Sequence, residues 1–143
     1  MKLIQVSVFL ENSKGRLYEV CKLLGNNGIN IRAINIADSK DFGILRMVVN
    51  DPEKAMNVLR LAKITATKTD VIAVEVDDAP GGLAKILKVL NDNDINVEYM
   101  YGFVEKASDK ALMVLRIEDI DKAISELKNK GINLLSKAQI EKL

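Results

Sequence analysis

A chain of 143 residues, 48% hydrophobic and 29% charged, has the size of one ordinary compact unit or of two very small ones. Its composition excludes a disordered or collagen-like chain, and a formal net charge of +1 supplies no field strong enough to draw nucleic acid or anionic lipid. With no histidine and a single cysteine, Cys21, the sequence offers no intramolecular disulfide, no zinc site of the Cys/His kind and no histidine-based triad.

The first element is a strand, because Ile4, Val6, Val8 and Leu10 alternate with Gln5 and Ser7 at the period of a half-buried strand. Leu17, Val20, Cys21 and Leu24 then fall at i, i+3, i+4 and i+7, the apolar stripe of a helix that stops at the turn-rich residues 25–28. A second strand opens with Ile29-Asn30-Ile31, a polar hairpin loop covers 37–42, and an apolar strand returns through 44–49. Asp51 before Pro52 is suited to capping a second helix whose inner face is Ala55, Met56 and Leu59, and a short strand follows over 64–68.

The same order then recurs. Ile72, Val74 and Val76 alternate as a strand, and Leu83, Ile86, Leu87 and Leu90 repeat the helical stripe. A turn at 91–94 precedes Ile95-Asn96-Val97, a longer polar loop covers 103–110, and a strand returns through 112–117. Asp119 stands before a helix with Ala123, Ile124 and Leu127 inside, and a last strand is expected over 132–137.

An offset of 66 pairs Val8 with Val74, Gly15 with Gly81, Leu24 with Leu90, Asn27 with Asn93 and Asn30 with Asn96. Beyond the hairpin the offset is 68, pairing Asp51 with Asp119, Ala55 with Ala123 and Leu59 with Leu127. The fold class is therefore α+β, two ferredoxin-like βαββαβ units over residues 1–68 and 69–143. Units of this size have cores near the lower limit of comfortable stability, so pairing is expected. The first holds 11 lysines and arginines against 6 acidic residues and the second 10 against 14, charges that favour packing as an intrachain pseudo-dimer. Residues 65–76 read almost continuously from one unit into the next, leaving no flexible linker.

The segment between first strand and first helix carries the chemistry. It reads Glu11-Asn12-Ser13-Lys14-Gly15-Arg16 in one unit and Asp77-Asp78-Ala79-Pro80-Gly81-Gly82 in the other. Glycine allows close backbone approach, and a helix N-terminus offers free N–H groups and partial positive charge, which suit a carboxylate. Asn12 or Asp78 adds an acceptor for an ammonium group, so the place fits an amino acid. The same residue types are also ordinary helix-capping and turn residues. Asn30 and Asn96 open the second strands at the far end of the crossover helix, within reach of another unit's loop when two units pack.

This pattern resembles the ACT domain family, small regulatory modules that bind amino acids. The resemblance covers nearly the whole chain and rests on three features: the βαββαβ order, Asp78-Ala79-Pro80-Gly81-Gly82-Leu83, which is similar to the family's (Asn/Asp)-x-Pro-Gly-x-Leu motif, and Gly28-Ile29-Asn30-Ile31. The first copy departs with Lys14 where the family usually has proline, and the second has Asp94 in place of the glycine. The resemblance implies a tandem ACT pair that is a free-standing regulator rather than an enzyme, modulating a metabolic enzyme in trans. Its effector, a small amino acid or related metabolite, would be held between units by Asn12 with Gly15 or Asp78 with Gly81, and by Asn30 or Asn96 of the partner unit. No cofactor or metal is implied, and a homodimer of the chain is expected. A ligand-free assembly adaptor and a small α+β barrel enzyme are the alternatives; absence of histidine argues against the enzyme.

No stretch of 18 apolar residues and no signal cleavage site follow MKLIQVSVFLENSK, so a cytoplasmic location is expected. Cys21 aligns with Leu87 and reads as a small core residue. Tyr99 and Tyr101 share one face of a strand and are expected to pack at an interface or line a ligand pocket rather than stack on RNA. Asp77, Asp78, Asp92 and Asp94 match no calcium loop and read as solvated turns.

Overall fold

The computed structural model describes residues 1–38, 41–105 and 109–143. Two compact units are present: an N-terminal unit of Ile4–Thr69, and a C-terminal unit of Asp70–Leu143 with Met1–Leu3. The N-terminal unit runs β1 (Leu3–Glu11), α1 (Arg16–Asn26), β2 (Ile31–Asp38), β3 (Phe42–Val49), α2 (Pro52–Leu61) and the start of β4 (Ala66–Val76). The C-terminal unit takes the rest of β4, then α3 (Gly82–Asp92), β5 (Val97–Gly102), β6 (Ala111–Ile117), α4 (Ile120–Asn129) and α5 (Lys137–Glu141).

In the N-terminal unit β3 lies between β2 and β1, all antiparallel, with Val8 and Ile36 both opposite Leu45. The Phe9 N–H donates to the Thr65 carbonyl at 3.0 Å, placing the last strand on the other edge of β1. In the C-terminal unit β6 lies between β5 and β4, and Val74 of β4 also bridges Leu134 on its other edge. Each unit is thus the split βαββαβ arrangement anticipated from the repeat.

The helical stripes and alternate strand positions close one core per unit. Val6, Val8, Leu45 and Met47 meet Val20, Leu24, Ala55 and Leu59; Ile72, Val74, Leu115 and Ile117 meet Ile86, Leu90, Ala123 and Leu127. Each fully buried Leu or Ile contributes about 1.5–3 kcal/mol. The Asp51 carboxylate accepts from the Lys54 N–H at 3.1 Å, and Asp119 accepts from Lys122 at 3.3 Å, so both second helices are capped as expected.

Four expectations are corrected. The last strand does not reach residue 137: only 133–135 pair with β4, and Ser136 then opens α5 through a capping box with Gln139. The Ser-x-x-Gln spacing was its signal. Leu17, on the predicted stripe, is 40% exposed, whereas its counterpart Leu83 packs on the core beside Ala111, where the N-terminal unit has only Gly43. Cys21 is half-buried rather than core, and burial raises its thiol pKa. Gln5 and Ser7, on the non-core face of β1, are buried too, with the Gln5 Nε2 donating to Ser7 Oγ at 3.0 Å. Of the two hairpin loops, Ala37 and Asp38 extend β2 and Phe42 starts β3, while residues 39–40 and 106–108 lie outside the described residues.

Candidate functional site

The two strand–helix loops share one backbone design. The Ser13 N–H donates to Glu11 O at 2.8 Å and the Arg16 N–H to Ser13 O; the Ala79 N–H donates to Asp77 O at 2.9 Å and the Gly82 N–H to Ala79 O. Gly15 and Gly81 follow with φ of +89° and +83°, left-handed values that admit glycine with least strain. A Cβ at either would meet nothing within 4 Å, so the backbone angle is what requires glycine there, and the space above it is open. The N-cap positions of α1 and α3 are these two glycines, which have no side chain to cap with.

Gly82 marks where the loops differ. A Cβ there would stand 1.9 Å from the Asp77 carbonyl oxygen, so α3 starts hard against the end of β4, and only glycine fits. The N-terminal unit has Arg16 at this position.

Beside the C-terminal loop lies a cavity of about 420 Å³ lined by Asp78, Ala79, Pro80, Leu83, Ala111 and Met113, among others. One wall is apolar and the loop side carries a carboxylate next to a helix N-terminus. On the loop's other flank a smaller cavity of about 170 Å³ holds Asp77 between Lys85 and Lys110, each 3.5 Å away. Met113, Ala111 and Lys110 escaped the sequence reading, since their place beside the loop depends on β6 pairing with β4.

Asn30 and Asn96 stand elsewhere. Asn30 is exposed just before β2, where the Asn50 side chain accepts from its N–H at 2.8 Å and donates to Gly28 O at 3.3 Å. Asn12 is joined to the opposite end of β3 through its N–H to Asp41 O at 2.9 Å. Nine residues of extended chain separate Asp41 from Asn50, roughly 30 Å at the rise of a strand, so Asn12 and Gly15 do not meet Asn30 within their unit. Asn96 likewise is exposed at the start of β5, at the end of α3 remote from Asp78 and Gly81.

Asp92 pairs with Lys88 at 2.6 Å and Asp77 with its two lysines. Among the described residues no group of three or more His, Cys, Asp or Glu side chains could hold a metal ion. Tyr99 and Tyr101 do share a face of β5; Tyr101 is buried, and neither lines a loop cavity. Among the described residues no helix is long and apolar enough to cross a membrane.

Two ferredoxin-like units in tandem, each opening its first helix on a left-handed glycine, define an α+β protein of duplicated ferredoxin-like build. The model of the ACT domain pair matches residues 1–143, and the chain belongs to that family. It is similar to protein BT0572 from Bacteroides thetaiotaomicron, with 40% identity over 100% of this chain and 98% of that one, and a TM-score of 0.93. The regulatory subunits of aspartate kinase from Thermus thermophilus and Thermus flavus share the fold: 17% and 19% identity, TM-scores of 0.62 and 0.60, over 88% of this chain and 91% and 90% of theirs. No curated protein matches the sequence.

Proposed function

We propose that the chain is a regulatory sensor, not an enzyme, that binds a small amino acid at the Asp78 loop and modulates a partner enzyme in trans. The observation that carries this reading is a cavity of about 420 Å³ with an apolar wall, lined by Asp78 at the left-handed Gly81 turn that opens α3. An amino acid's carboxylate sits at the helix N-terminus, its ammonium meets Asp78, and its side chain lies against Leu83 and Met113. In the N-terminal unit Asn12 and Gly15 hold the corresponding places. Use of the same fold as a regulatory subunit of aspartate kinase in Thermus thermophilus supports the regulatory part. Occupancy acts on the partner through the ligand's difference in affinity between two arrangements of the protein.

A thermal-shift screen against the common amino acids tests this, because a ligand at 100 times its Kd adds about 2.7 kcal/mol of stability. A selective rise that Asp78→Ala abolishes is the expected result. A flat screen at millimolar concentration would overturn sensing and favour an assembly adaptor.

A further inference from the structure

The smaller cavity beside Asp77 has a counterpart in the N-terminal unit, of about 260 Å³, formed by the same three elements: the end of the first strand, the start of the first helix and the start of the last strand. The two are lined by equivalent positions with inverted chemistry. Where the C-terminal cavity has Glu75, Gly82 and Gly131, the N-terminal one has Phe9, Arg16 and Lys63. The C-terminal cavity neutralises itself, Glu75 and Asp77 facing Lys85 and Lys110. Among the described residues that line it, the N-terminal cavity holds Arg16 and Lys63 against the single acidic side chain of Glu11, and two phenylalanines line it, Phe9 at 46% and Phe42 at 61% exposure.

Two details single out Lys63. Its φ of +60° is left-handed, where the other unit has glycine, so a long cationic side chain is kept on backbone that favours none. Arg16 is engaged by Glu19 at 3.1 Å, whereas the Lys63 ammonium forms no ion pair among the described residues. A cation with no ion-pair partner among the described residues, beside exposed aromatic surface, fits a ligand that is anionic at one end and apolar at the other. The volume, below the roughly 300 Å³ at which pockets for drug-sized molecules begin, limits that ligand to a small one.

We infer that this N-terminal cavity is a second binding site, for a small carboxylate with an apolar or aromatic body: Lys63, with Arg16, takes the carboxylate, and Phe9 and Phe42 cover the body. It is separate from the Asp78 loop and does not rest on it.

The test is an NMR titration of the ¹⁵N-labelled full chain with 3-phenylpropanoate, which lacks an amino group, and with the neutral 3-phenylpropan-1-ol. The carboxylate is expected to shift the amide signals of Phe9, Lys63 and Thr65. Its affinity should exceed the alcohol's at least tenfold, and fall at least tenfold in Lys63→Gln and in Phe9→Glu while Asp78→Ala leaves it unchanged. Lys63→Gly, which relieves the backbone, serves as the folded control and loses binding equally. No shift at millimolar 3-phenylpropanoate, equal binding by Lys63→Gln, or shifts confined to residues 76–83 would overturn the assignment. An amino acid that binds the Asp78 loop under those same conditions would leave the sensor reading standing while this one fell.

Discussion

Lys63 and Gly131 hold the same backbone position in the two units, each just beyond a helix with left-handed φ, +60° and +73°. Both follow the same helix-ending turn, in which the Ile64 N–H donates to Leu59 O at 2.9 Å and the Ile132 N–H to Leu127 O at 3.0 Å. A side chain in that conformation costs about 1–2 kcal/mol, of which glycine's extra freedom when unfolded returns part. Lys63→Gly should therefore raise stability by about 1 kcal/mol and Gly131→Lys lower it similarly, read as a shift in urea midpoint at constant slope. Asp94, at φ +56° where the first unit has Gly28, should respond less to Asp94→Gly, because aspartate tolerates this region.

Gly82 should be the least replaceable glycine of the two loops. Gly82→Ala drives a methyl into the Asp77 carbonyl, so α3 must shift off the end of β4 at a cost of about 1–3 kcal/mol. Gly15→Ala and Gly81→Ala meet no such obstacle and incur only the backbone strain, about 1–2 kcal/mol. Thermal unfolding of the three variants checks the contrast. Arg16→Gly should leave the N-terminal fold in place.

Removing either helix cap should weaken its own unit. Asp51→Ala and Asp119→Ala each leave a first-turn N–H without its side-chain acceptor and should cost about 1 kcal/mol. A double variant should show the sum, since each cap belongs to a different core. Chemical denaturation of the three proteins measures it.

Cys21 sets an alkaline limit. Burial raises its pKa above the ordinary 9.0, so the folded chain holds the thiol proton more tightly than the unfolded one. The resulting stability is fully present below 9.0 and is lost as pH rises through the folded value. Cys21→Ala should flatten that alkaline decline in a pH series of melting temperatures, and the native thiol should react with iodoacetamide more slowly than a free thiol near pH 9.0.

The repeat was legible because its paired residues do local work. Asn27 and Asn93 match at the offset of 66, and each donates its side-chain amide to the carbonyl four residues back, Leu23 at 2.8 Å and Val89 at 2.7 Å. Asp51 and Asp119 match because each caps the helix it precedes. The strand alternation and the stripes ending at Leu24 and Leu90 act over one or two turns of chain, so order of elements, class of fold and the two glycine loops could be read directly. α5 was legible too, in Ser136 and Gln139, but the expected strand ran over it.

The character of each loop's surroundings belongs to tertiary structure. Ala111 and Met113 come beside Asp78 only because β6 pairs with β4, Ala111 opposite Val76 and Met113 opposite Val74, and Phe42 comes beside Lys63 only through the pairing of β1 with both β3 and the last strand. The 1.9 Å approach that forbids a Cβ at Gly82 depends on the angle at which α3 leaves β4, an angle set by how Ile86 and Leu90 seat on the sheet. Periodicity and capping are properties of neighbouring residues, whereas a cavity's volume and its charge are sums over residues far apart in the chain, and they exist only once the cores have closed.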